Sequence, residues 1–125
     1  MTDEEIMTVI LDEAFYIHKK IGPGLLESVY KACLAFRLRQ RGLFVELEKA
    51  IPVIFEEVQM DCGYRADMVV EERIVVEIKN VDAFGDIHTA QTLTYLRFIN
   101  LRRALILNFK TVLFKNGIRR VVNGY

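Results

Sequence analysis

RADMVVEERIVVEIKN, residues 65–80, decides how this chain reads. Two β-branched runs, 64–70 and 74–79, flank Glu71-Glu72-Arg73, the pattern of a hairpin. Yet Asp67 stands among Ala66, Met68, Val69 and Val70, while Glu77 and Lys79 close off Ile74, Val75, Val76 and Ile78. Strand side chains alternate with period two, so Glu77 and Lys79 share a face with Val75, and Asp67 shares one with Arg65 and Val69. A turn centred on Glu72 sets Asp67 directly opposite Glu77, with Cβ atoms about 5 Å apart. A slip of one residue would break that coincidence.

Like carboxylates at that separation repel. One acid protonates, or Lys79 bridges the two, or a divalent cation sits between them. Oxygen ligands with no histidine or cysteine at the strand ends suit a hard ion, Mg²⁺ or Mn²⁺. Such an ion lowers the pKa of a bound water and neutralises charge on a phosphate. Lys79 would then orient or deprotonate the attacking water, or stabilise the charge of the transition state. Taken alone, an E-x-K triplet is most simply a surface ion pair.

Working outward, Thr2 or Asp3 caps a helix running to about Lys20, with Ile6, Ile10, Ile17 and Ile21 near helical spacing. Gly22-Pro23-Gly24 breaks it. A second helix covers roughly Leu25 to Gln40, with Leu26, Val29, Tyr30, Cys33 and Leu34 on one side, and Gly42 stops it. Phe44 to Phe55 reads as one or two strands, Pro52 favouring an edge or a bulge. A third helix spans about Asp86 to Ile99. RALILNF, 103–109, is a strand buried on both faces, and GIRRVVN, 117–123, adds a last edge strand. The expected fold is therefore α/β: one domain over 1–125, a mixed β-sheet flanked by helices, with the third helix as a crossover.

The totals agree. A chain of 125 residues holds one core, and 52% apolar against 27% charged residues argues against disorder. No apolar run reaches the roughly 18 residues needed to cross a bilayer, and Met1-Thr2-Asp3-Glu4-Glu5 is no secretory start, so a soluble, intracellular (cytoplasmic) domain is expected. Cys33 and Cys62, too far apart for a zinc site, are expected as reduced thiols. Net charge is zero, but from Arg97 onward there are seven bases and no acid, either a solvated face or a footprint for phosphates.

Two helices carry polar groups at helical spacing. Glu27 and Tyr30 are i and i+3, although Glu27 and Lys31 also make a favourable i,i+4 surface pair. His88, Gln91 and Tyr95 form one stripe, read locally as a hydrogen-bonding surface; no second histidine joins His88 as a metal ligand.

Here the residues resemble a known family. GLLESVY, 24–30, fits G-x-x-E-x-x-Y; with Asp67, Glu77-Ile78-Lys79 and Gln91-x-x-x-Tyr95 the chain, from about Ile6 to Asn123, is similar to the GxxExxY family of the PD-(D/E)XK nuclease superfamily, near its RecB-like branch. Ala66 stands where the superfamily's name has proline. The resemblance implies a restriction-endonuclease-like α-β-β-β-α-β core with an extra N-terminal helix, and a metal-dependent nuclease acting on nucleic acid, most plausibly DNA. It implies Asp67, Glu77 and the Ile78 carbonyl as metal ligands, with Glu27 reaching the same Mg²⁺ or Mn²⁺ directly or through water. Lys79 would be the catalytic lysine, Gln91 would position water or substrate with Tyr95 supporting it, and Tyr30 would pack beside Glu27. Two rival readings stand: a nucleic-acid- or protein-binding module that keeps the fold without chemistry, perhaps within a larger assembly, and a homo-oligomer paired through edge strands.

Overall fold

The computed structural model describes residues 1–124. The N-terminal helix α1 runs Asp3–Ile21, with Thr2 accepting from the Glu5 N–H while the Glu5 carboxylate caps the Thr2 N–H, a reciprocal capping box. Helix α2 follows at Glu27–Gln40. Then come strands β1 (Val45–Ala50), β2 (Val53–Phe55), β3 (Val58–Met60), β4 (Arg65–Val70) and β5 (Ile74–Lys79), helix α3 (Asp86–Ile99), and strands β6 (Arg103–Asn108) and β7 (Ile118–Val122). Five strands form one mixed sheet in the order β1-β4-β5-β6-β7; β2 and β3 pair separately. Only β5 and β6 are parallel, and α3 makes the crossover between them. The expected α/β domain with helices on both sides of a mixed sheet is the one found, with β7 at the edge.

Two apolar layers hold the sheet. On one face Ile6, Ile10 and Ala14 of α1 and Tyr30, Leu34 and Leu38 of α2 pack on Met68, Val70, Val76, Ile78, Leu105 and Leu107. On the other, Tyr95 and Leu96 of α3 cover Val69, Val75, Ala104 and Ile106. Both faces of β5 and β6 are thereby buried, which explains their near-continuous apolar sequence. Glu13 of α1, 4% exposed, is held by a two-pronged contact with the Arg37 guanidinium at 2.9 and 3.0 Å, locking α1 to α2.

Three details differ from expectation. Leu26 and Val29 do not face the core: α2 buries Tyr30, Leu34, Ala35 and Leu38, because the first turn projects beyond the sheet. Residues 53–60 form a small exposed hairpin of their own, which the mixed pattern after Pro52 concealed. Pro52 itself lies between strands. Cys33 and Cys62 are free thiols, and no helix among the described residues is long and apolar enough to cross a membrane.

Candidate active site

The β4–β5 hairpin has the expected register, with Met68 paired to Val76, Val69 to Val75 and Val70 to Ile74. Regular backbone pairing stops there. One step further, Asp67 and Glu77 replace it with their side chains. The Asp67 N–H donates to Glu77 Oε2 at 3.2 Å, and the Ile78 N–H donates to Asp67 Oδ2 at 2.8 Å. Each carboxylate thus caps the backbone of the opposite strand. The other flank of β4 is interrupted at the same level: β1 pairs with β4 on both sides of Glu48, and Glu48 itself takes φ 53°, a left-handed conformation costly for a non-glycine residue. At Asp67 the sheet therefore opens on both edges, leaving two acids where a ladder would otherwise run.

Glu77 is 4% exposed and Asp67 half-buried. Burial, then the neighbouring Asp67 charge, pushes the Glu77 carboxyl up to about 9, so at neutral pH it holds a proton. Lys79 forms no salt bridge with either acid among the described residues, though its charge bears on Glu77. Its carbonyl accepts the Phe109 N–H at 3.1 Å, fixing the lysine at the end of the parallel pair. Because the N–H and C=O of one strand residue point to the same neighbour, the Ile78 carbonyl turns toward the opened side of β4, as its N–H does.

Tyr95 stands against this pair. Burial, followed by the charges of Glu77, Tyr64 and Asp67, holds its phenol above the ordinary range. Gln91 lies one turn earlier on α3, and both residues line a hollow of about 290 Å³. His88 does not join the site; its Nδ1 accepts the Gly85 N–H at 3.0 Å and caps α3.

Glu27, the first residue of α2, is exposed and remains apart: among the described residues no three His, Cys, Asp or Glu side chains come close enough to hold a metal ion together. What links it to the acid pair is Lys31, one turn along α2. The Lys31 ammonium bonds to Glu48, which raises its pKa, and it also feels Asp67 and Glu27. Neither Lys31 nor Glu48 was singled out in the sequence, where they look like ordinary surface charges.

Tyr30 has a role the spacing alone did not reveal. Its ring stacks on Phe109, with centroids 4.3 Å apart and planes 11° from parallel. Its hydroxyl donates to the Gly22 carbonyl at 2.6 Å and accepts the Leu25 N–H at 3.0 Å. It therefore fastens the turn in which Gly24 has φ 95°, a conformation suited to glycine, and so sets the start of the helix that carries Glu27. Tyr30→Phe, which strands a buried carbonyl and N–H, should cost about 1–3 kcal/mol, read by chemical denaturation.

Asn108, 1% exposed, was also missed, although a lone amide ending RALILN is a visible signal. Its Nδ2 donates to the Val81 carbonyl at 2.8 Å, and its Oδ1 accepts the Val81 and Lys110 N–H groups at 3.2 Å each. It fastens the segment that follows Lys79. A Cβ on Gly117 would collide with the Asn108 carbonyl, so only glycine fits there. The basic C-terminal stretch is partly committed internally: Arg119 bonds to Thr89 and lies over Phe84, and Lys110 pairs with Asp82 at 2.7 Å.

A mixed sheet with helices on both faces, and an acid, an acid and a lysine gathered where its central hairpin opens, is the architecture of a metal-dependent phosphodiesterase fold. The family model described as the PD-(D/E)XK nuclease superfamily matches residues 4–121, and the chain belongs to that superfamily. Nucleases of this superfamily generally use divalent metals and act on nucleic acid. No curated protein and no solved structure matches the chain.

Proposed function

We propose that this chain is a GxxExxY-type, Mg²⁺- or Mn²⁺-dependent nuclease that hydrolyses phosphodiester bonds, with DNA as substrate. The observation that carries this reading is the mutual capping of Asp67 and Glu77 at the point where the sheet opens. Two carboxyls converge there with one of them buried and held neutral by the other's charge, an arrangement that costs stability unless a cation uses it. The donor set fits a hard divalent ion: carboxylate oxygens of Asp67 and Glu77, the Ile78 carbonyl turned to the same side, and no nitrogen or sulfur ligand. Such an ion, when bound, supplies an acidified water and charge neutralisation at phosphorus.

The chain's own groups would do the rest. Asp67 and Glu77 hold the ion, so Glu77 must give up its proton to bind it. Lys79, not tied to either acid by a salt bridge, is available to orient the attacking water or to balance charge on the phosphate oxygens. Gln91 and Tyr95 bound the substrate side of the site, and Glu27 approaches from α2 through an outer layer of water. The wild-type chain should cut labelled oligonucleotides with Mg²⁺ or Mn²⁺ and lose all cleavage in EDTA. Equal cleavage in EDTA would remove the metal from this scheme. Absence of cleavage on DNA and RNA of either strandedness, with either metal, would favour the binding-module reading.

A further inference from the structure

The hollow beside the acid pair has a composition unlike a phosphate site. Gln91, Thr94, Tyr95 and Phe98, at i, i+3, i+4 and i+7, turn one face of α3 into it; Ile51, Val53 and Tyr64 form the opposite wall. None of these residues is ionised at neutral pH, so the space suits a neutral ring rather than an anion. Its volume, about 290 Å³, is at the small end of ligand pockets. The Tyr64 and Tyr95 rings lie 6.2 Å apart at 53°, so they do not stack on each other. Tyr64 is 46% exposed, a flat apolar surface at the entrance. The Gln91 amide is exposed at the rim and offers both donor and acceptor, the pairing needed at a base edge.

Tyr95 is a wall common to this hollow and to the acids. Its ring packs in one apolar cluster with Ala66, Val69 and Val75, the residues that flank Asp67 and lead into Glu77. The influence of Glu77 and Asp67 on its phenol agrees with that placement. A ring seated between Tyr64 and Tyr95 would thus be a short linker away from a phosphate at the acid pair.

We infer that this hollow seats one unstacked nucleobase adjoining the cleaved phosphate, so that the substrate is single-stranded nucleic acid or a frayed strand end. The inference rests on the nuclease reading for the identity of its ligand. Bases inside an intact duplex are stacked and paired and would not reach such a seat without being extruded, whereas every base of a single strand offers a face to an aromatic platform.

Binding without metal tests this separately from cleavage. Fluorescence anisotropy in EDTA would compare a labelled single-stranded DNA 12-mer, the same strand annealed to its complement, and the same backbone made abasic. The base-bearing single strand should bind on the order of 10- to 100-fold more tightly than the abasic strand, and more tightly than the duplex. Tyr64→Ala, at an exposed position, should remove most of that advantage, and Tyr64→Trp should restore it by keeping a stacking surface. An abasic strand that binds as well as the base-bearing one, or a Tyr64→Ala protein with unchanged single-strand affinity, overturns the proposal. Base-dependent, Tyr64-dependent binding in a protein that never cleaves would sink the nuclease reading while sustaining the base seat. Metal-dependent cleavage of duplex DNA that is indifferent to Tyr64→Ala would do the reverse.

Discussion

Asp67→Asn and Lys79→Ala should each slow metal-dependent strand cleavage by about 10²- to 10⁴-fold while the protein stays folded. The choice of asparagine matters. Asp67 Oδ2 accepts the Ile78 N–H, so alanine would leave that donor unsatisfied and mix a folding defect with a chemical one. Asparagine keeps an acceptor there and removes only the charge. Lys79 anchors its strand through its backbone carbonyl, so shortening its side chain spares the architecture. Single-turnover rates at saturating enzyme, with circular dichroism to check folding, would read the effect. Rates within threefold of wild type for both variants would show that the chemistry lies elsewhere.

The second large effect is on stability and runs against ordinary expectation. The Glu77 carboxyl is pushed up to about 9 in the folded protein from an ordinary value of 4.5. Below pH 4.5 it is protonated whether the chain is folded or not, and contributes no penalty. As pH rises through the window between those values, the unfolded chain releases the proton and the folded one retains it. Stability then falls, with a slope approaching about 1.4 kcal/mol per pH unit, until the folded group itself ionises. Metal-free wild type should therefore denature more easily at pH 8 than at pH 5.5 by a few kcal/mol from this group alone. Glu77→Gln should flatten that dependence and stabilise the metal-free protein at pH 8, yet abolish cleavage. Saturating Mn²⁺ should raise the wild-type melting temperature, increasingly so toward pH 8 because its binding must displace the proton. A Glu77→Gln protein less stable than wild type at pH 8 would mean that the buried carboxylate is satisfied in some other way.

Much of this was legible in the order of residues. The register of β4 on β5 followed from a three-residue turn and strict alternation, and α3 from its apolar period, because these are local consequences of short-range geometry. The convergence of Asp67 and Glu77 came with that register. What could not be read was whatever depended on distant partners. Glu48 adopts a left-handed conformation that nothing in its residue type announces, and Lys31 becomes relevant only because α2 brings it to Glu48. Leu26 and Val29 look like core residues but extend past the sheet. The basic C-terminal stretch looked like one patch, whereas Arg119 and Lys110 are engaged by Thr89, Phe84 and Asp82.

Phe109 and Asn108 are consecutive, and they point to opposite halves of the cleft. One ring bears on the tyrosine that governs the approach of α2; the neighbouring amide clasps the chain just after the lysine. Two walls that are far apart in the gene are thus hinged on a single dipeptide at the mouth of a central strand. Drift in the last sixteen or so residues, none of which carries an acid, would be felt simultaneously on both sides of the cleft, and a truncation trimming what looks like a dispensable tail would misalign it.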